Sequence, residues 1–227
     1  MKLNSELREL AFNAVKIDWK PAVLATLAYG VISYIPNLIG SFAGASGDAG
    51  QGILAVVVVA LAVACVLPFN YAYHVTMLDF QRGNVDNTVS RMINIVKDDY
   101  KRSLMVSLLT AVYIFLWSLL LIIPGIVKGY SYAMTYYIAK DNPNLSAEEA
   151  IQASMKVMQG NKMRLFLLDL SFIGWYLLVI VTFGIAALFV TPYNSNAHAA
   201  FYDDLMAGQH ITTVNDTVDE VATEVVE

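Results

Sequence analysis

Charge is missing from long parts of this sequence: no Asp, Glu, Lys or Arg occurs in Pro21–Gly47, Ala49–Leu78, Ser103–Val127 or Leu170–Tyr202. An average soluble domain is about 25% charged, whereas this chain is 15% charged and 57% hydrophobic. A run of about 18 or more uncharged, mostly apolar residues can cross a bilayer core as a helix. Four such runs in 227 residues point to an integral membrane protein and exclude a soluble enzyme. Cysteine is nearly absent too. Cys65 stands alone in an apolar run, which excludes an intramolecular disulfide and a cysteine metal site. Ala207–Glu227 lacks Lys and Arg but holds Asp216, Asp219, Glu220, Glu224 and Glu227. The net charge of −5 therefore reflects a tail more than an acidic binding surface, and residues 208–227 are expected to be disordered.

Catalytic signatures are lacking as well. There is no His-Glu-x-x-His zinc motif, no Gly-x-x-x-x-Gly-Lys phosphate loop and no Gly-x-Ser-x-Gly elbow, of which Gly129-Tyr130-Ser131 is a faint echo. The reading is of a non-enzyme with no catalytic residues, no metal ligands and no cofactor. Basic residues spread over three membrane-facing segments exclude a nucleic-acid partner. Met1–Lys20 carries seven charged residues, from Lys2 to Lys20, so a cleaved secretory signal is not expected there.

What is present is an all-α pattern. Pro124-Gly125, Thr182-Phe183-Gly184 and the glycine-rich Gly40–Gly52 each interrupt a run too long for one crossing. Six spans follow, at about 21–40, 53–78, 103–123, 126–139, 165–182 and 184–202. A short polar segment of helical periodicity precedes each pair of spans. Its apolar stripe is Leu7, Leu10, Ala11 and Ala14 in the first, and Val89, Met92, Ile93 and Val96 in the second. In the third it is Ile151, Met155 and Met158, and Ser146 with Glu149 three residues on forms a capping box. Pro68-Phe69-Asn70 with His74 and Asp79 recurs as Pro192-Tyr193-Asn194 with His198 and Asp203 at the same spacing. The architecture read from this is a polytopic transmembrane helix bundle of three pseudo-repeats, each an amphipathic helix plus a hairpin. It forms one membrane-embedded domain over residues 1–207.

Orientation follows from the basic residues, which are enriched in cytoplasmic loops. Of the 14 Lys and Arg residues, all but Lys128 fall before span one, between spans two and three, or between spans four and five. Both termini and the three amphipathic helices are accordingly expected in the cytoplasm.

Ionisable groups at membrane depth cost roughly 2.5–3.5 kcal/mol on insertion scales and usually face a cavity or a partner. Lys128 and Asp169 meet that description, although each could snorkel to the nearer surface. The pairs Asn70/His74 and Asn194/His198 each put two polar groups one helical turn apart, and with Asp169 they could line a polar cavity. Hydrogen bonding between helices accounts for the same pairs. Tyr130, Tyr132, Tyr136 and Tyr137 form an interfacial or pore-lining set, or pack.

Ile123-Pro124-Gly125-Ile126-Val127-Lys128 with Tyr130-Ser131-Tyr132, then Asp141-Asn142-Pro143-Asn144-Leu145-Ser146-Ala147-Glu148-Glu149-Ala150-Ile151, resembles a bacterial family of membrane proteins. So do Leu165–Trp175, with Asp169 inside it, and Thr191-Pro192-Tyr193 with Ala200-Phe201-Tyr202. The family is catalogued as domain of unknown function 975. The likeness runs from about residue 5 to 208 and is most specific from Leu121 to Leu205. It implies a multi-pass protein of the bacterial cytoplasmic membrane, with Lys128 and Asp169 on matching positions, and implies no reaction. Two functions are carried forward. One is non-enzymatic transport or lipid handling, suggested by pseudo-repetition, a short Pro-Gly-interrupted span and buried polar groups. The other is a scaffold or accessory subunit that holds protein partners, or a second copy of itself, through its amphipathic helices.

Overall fold

The computed structural model describes residues 2–43, 49–84, 87–120 and 122–224, and among them every regular element is a helix. In chain order these are α1 (Asn4–Ile17), α2 (Trp19–Ala43), α3 (Ala49–Gln81), α4 (Thr88–Asp98), α5 (Tyr100–Leu120), α6 (Ile122–Tyr132), α7 (Thr135–Asp141), α8 (Ala147–Val157), α9 (Lys162–Leu170), α10 (Ile173–Val181) and α11 (Ala187–Glu224). Of the glycine-rich break expected at Gly40–Gly52, residues 44–48 lie outside the described residues, while Gly40–Ala43 ends α2 and Ala49–Gly52 begins α3.

The short amphipathic helices form where periodicity places them, with faces turned slightly from expectation. In α1, Leu7, Ala11 and Val15 are buried, while Leu10 is 37% exposed. In α4, Thr88, Met92 and Val96 are buried, and Ile93 is exposed. Residues four apart lie on one helical face, so each buried stripe follows the i, i+4 row and leaves one flank outside, on the Leu10 side in α1 and the Ile93 side in α4. At the start of α8, Ser146 Oγ accepts from the Glu149 N–H at 3.3 Å and the Ser146 N–H donates to Glu149 Oε2 at 2.7 Å. That reciprocal pair satisfies two otherwise free amides.

Among the described residues two stretches, Tyr100–Leu119 and Lys162–Val181, are long and apolar enough to cross a membrane, yet only 22% and 17% of their most apolar windows are buried inside the molecule. The core helix of a water-soluble protein would be mostly covered. α10 buries none of its residues, and Leu119, Ile123, Ile180, Val181, Phe183 and Ile185 are 70–98% exposed. The packed core sits instead at the end where α1, α4 and α8 lie, around Leu7, Leu78, Met134, Tyr137, Met158 and Phe201. α3 runs through it against α2, α4, α5, α7 and α11.

The breaks differ from those read off the sequence. α5 ends at Leu120 and α6 starts at Ile122, so Pro124 lies in the first turn of α6, where its missing N–H costs no hydrogen bond. Gly125 serves close approach: a Cβ there would stand 2.7 Å from Ser118 Oγ and 2.9 Å from Ser118 Cα. The expected fourth span, 126–139, is not one helix but α6 and α7, separated at Ala133-Met134. Backbone groups freed at such a break need partners wherever water is scarce. Ser154 of α8 supplies them, its Oγ accepting from the Met134 N–H at 3.2 Å and donating to the Ser131 carbonyl at 2.8 Å. Between α10 and α11, Phe183 and Gly184 both take positive φ, 51° and 91°, a conformation in which glycine is unstrained. α11 continues to Glu224, so most of the segment expected to be disordered is helical. No proline or glycine follows Gly208 to stop it.

Candidate functional site

Three elements bring a carboxylate, an imidazole and a phenol together. Asp169 lies in the last turn of α9, His198 faces it from α11, and Tyr130 reaches it from α6. The His198 Nε2–H donates to Asp169 Oδ1 at 2.6 Å, and the Tyr130 hydroxyl donates to Asp169 Oδ2 at 3.1 Å. The Asn194 amide, one turn before His198, adjoins the same carboxylate, although its Nδ2 is buried without a hydrogen bond of good geometry. Asp169 therefore does not stretch alone to a surface: both of its oxygens are engaged. An ionised carboxylate only accepts, which fixes the His198 proton on Nε2.

Of the remaining sequence candidates, His74 is near enough to His198 for the two to interact electrostatically, but each makes its direct contacts outside the cluster. Asn70 Nδ2 donates to the Tyr29 hydroxyl at 2.8 Å, and Tyr29 stacks on Tyr73 at 4.7 Å. His74 stacks on Tyr136 at 5.1 Å and approaches the Tyr137 hydroxyl at 3.5 Å. Together they form an aromatic, hydrogen-bonded seam between α2, α3 and α7, closed by Thr26 and Ser195 on the Tyr73 hydroxyl at 3.1 Å and 3.3 Å. Lys128 belongs to neither group, because its Nζ lies 4.6 Å from the centre of the Trp117 ring in a cation–π contact.

Beside the Asp169 cluster a cleft of about 450 Å³ opens along the flank, lined by Ser118, Ile126, Gly129, Tyr130, Leu165 and His198, among others. Its floor is polar and its walls are apolar. Gly129 leaves room in it, since an added Cβ would meet nothing within 4 Å.

A second set of polar residues closes the core end of the bundle. The Arg82 guanidinium pairs with Asp141 at 2.7 Å and 2.8 Å and with Asp203 at 2.7 Å. The Tyr202 hydroxyl donates to Asp141 at 3.1 Å. Asp79 takes Lys140 and, at 3.3 Å, Arg91. Asp204 holds Arg164 at 2.6 Å and the Lys2 N–H at 2.9 Å. Asp79 and Asp203 were visible as repeat-matched residues, but their cationic partners come from other repeats and no spacing announces them. A polar cavity of about 700 Å³ lies here, bordered by Asp79, Arg91, Asp99, Arg102 and Lys140 among others, and its charges largely satisfy one another.

Burial alone would raise the Asp141 carboxyl, but the Arg82 hydrogen bonds and charge outweigh it and hold the group below its ordinary value of 3.8. A depressed folded value means stability that is present above the ordinary value and is lost as pH falls through the folded one. Thermal unfolding in detergent should therefore show a drop below about pH 4. Asp141→Asn should flatten that drop, and an unchanged profile would show that Asp141 is not its source.

Among the described residues no group of three or more His, Cys, Asp or Glu is placed to hold a metal ion. The arrangement offers instead a fixed imidazole, a phenol and a carboxylate at the foot of an apolar cleft. Residues 119–209 match the family described as "Protein of unknown function (DUF975)", which covers the cluster and the lining of the cleft except Ile114 and Ser118, but less of the chain than the likeness read over residues 5–208. No curated protein and no solved structure matches the chain significantly.

Proposed function

We propose, from a chain whose residues 119–209 are a DUF975 segment, a non-enzymatic lipid-handling protein of six crossings in the bacterial cytoplasmic membrane. Its working site is the Asp169–His198–Tyr130 cluster at the foot of the lateral cleft. The crossings are α2, α3, α5, α6 with α7, α9 with α10, and α11, each pair led by an amphipathic helix. Both termini lie on the cytoplasmic side, where all the basic residues but Lys128 gather. The polar cluster carries the reading. A carboxylate in the hydrocarbon region costs roughly 2.5–3.5 kcal/mol and persists where it has a partner or a task. Here the partners are present, and two of the residues concerned, Tyr130 and His198, also line a cleft open to the flank. A purely structural pair would be better covered.

The test is ligand capture. Full-length protein in nanodiscs made from a bacterial lipid extract should retain lipid through native mass spectrometry, and Asp169→Asn and His198→Ala should lower retention by about tenfold while the protein stays folded. Equal retention in all three proteins removes the reading. The topology is checked by reporters fused after residue 208 and inserted near Asp48, which should report opposite sides.

The scaffold alternative draws less support, because the apolar faces that would hold a partner are occupied within the bundle by Leu7, Met92 and Met158, each fully buried.

A further inference from the structure

We infer that the cleft beside His198 takes a single-chain amphiphile whose polar end donates a neutral hydroxyl, and that Gly129 sets the width of chain it admits. This rests on the lipid-handling reading and names its substrate class. The head group follows from the proton on His198. With Nε2–H committed to Asp169, a neutral imidazole presents Nδ1 as an acceptor, and no hydrogen bond among the described residues engages that atom. The site therefore asks its ligand for a donor. An ammonium finds no Asp or Glu among the residues that line the cleft to take its charge. A phosphate meets no cation: no Lys or Arg lines the cleft, Lys128 is held on Trp117, and Asp169 repels an anion. A hydroxyl satisfies Nδ1 without adding charge in low dielectric.

The chain follows from the walls. The cleft, at about 450 Å³, lies toward the lower end of the roughly 300–1,000 Å³ usual for ligand pockets, which suits one hydrocarbon chain better than two. Ile126 and Leu165 supply apolar walls. Gly129 stands opposite open space, whereas Gly125, one turn earlier, is filled by Ser118. Both glycines line the cleft, but at Gly125 the wall is already packed on Ser118 while at Gly129 there is room for an added side chain.

Three photo-crosslinking probes with the same diazirine-bearing chain separate the possibilities in nanodiscs holding full-length protein: a monoacylglycerol, an alkylamine and an alkyl phosphate. The monoacylglycerol should label peptides of α6 and α9 about tenfold more than the other two, because a site built to hydrogen-bond a hydroxyl discriminates strongly against ligands that mismatch it. Gly129→Leu should cut that labelling about tenfold, and Gly129→Ala should leave it within about twofold, with both variants melting like the parent. If Gly129→Leu does not fold, Ile126→Trp narrows the same cleft from its exposed wall. Equal labelling by the three probes that disappears in His198→Ala overturns the hydroxyl inference and leaves the binding site standing. Labelling that ignores His198→Ala removes both. Labelling unchanged in a folded Gly129→Leu protein overturns the role of Gly129.

Discussion

Arg102→Met should lower the unfolding free energy by about 3–5 kcal/mol, the size expected when a mostly buried charge that satisfies several groups is removed. Arg102 is the third residue of α5, and its side chain is 17% exposed. Its Nη1 donates to the carbonyls of Pro143 and Leu145 at 2.5 Å and 2.8 Å, and its Nη2 donates to those of Ala139 and Asn142 at 2.7 Å and 2.8 Å. Those carbonyls end α7 and form the link to the α8 cap at Ser146. The last carbonyls of a helix have no partner within it, and a cation there also suits the helix dipole. One planar fork thus organises the whole turn. Lysine, a single rounded charge on a flexible stem, cannot reproduce the fork, so Arg102→Lys should recover less than half of the loss. Chemical unfolding in detergent reads both variants. A loss below about 1 kcal/mol would mean that water replaces the guanidinium at these carbonyls.

Asp169→Asn and His198→Ala should each destabilise the protein by about 1–3 kcal/mol, and the double variant should cost little more than either alone. The pair is 2.6 Å apart with side chains 27% and 20% exposed, so water offsets part of the penalty of stranding one partner. Non-additivity is the signature of a shared interaction. Strict additivity, in unfolding and in lipid retention alike, would reduce Asp169 to a solvated charge and leave the cleft without a polar floor. Tyr130→Phe supplies an internal scale: it removes one hydrogen bond, at 3.1 Å, and should cost about 1 kcal/mol.

The helices and the Asp169 region were legible in the sequence for different reasons. Long uncharged runs and i, i+4 stripes announce helices because they report only local burial. Asp169 stood out as a charge seven residues past Lys162, in an otherwise apolar segment, and Asn194 and His198 share a helical face. Their meeting could be suspected, but Tyr130 could not be singled out among four tyrosines, since the aim of a side chain depends on how α6 rotates against α9. The internal match misled about Asn70 and His74. Seven residues past Lys20, the matching point of the first repeat, stands Leu27, where the position after Lys162 has Asp169, so the first matching pair has no carboxylate of its own repeat to meet and packs among tyrosines. The break at Ala133-Met134 left no trace in composition, because Ser154, some twenty residues later, makes it tolerable. Proline and glycine at 124 and 125 drew the eye to a turn, although both suit a helix start packed tightly on a neighbour.

The ion pairs of Arg82, Asp141, Asp203, Asp79 and Lys140 tie the C-terminal ends of α3 and α7 to the middle of α11. Toward the other end of the same helices the sequence has almost no charge with which to repeat the tie. The molecule is in this respect a tripod with its feet bolted by charge and its legs held by packing, as where Phe189 of α11 meets Trp19 at 5.7 Å. From Asp203 back to Ala187 is sixteen residues, about 24 Å of helix, so a tilt of about 5° about the bolted end carries the tip through roughly 2 Å. The cleft at His198 lies between pivot and tip. A tilt of that size would change the width of its mouth without opening a salt link at the base.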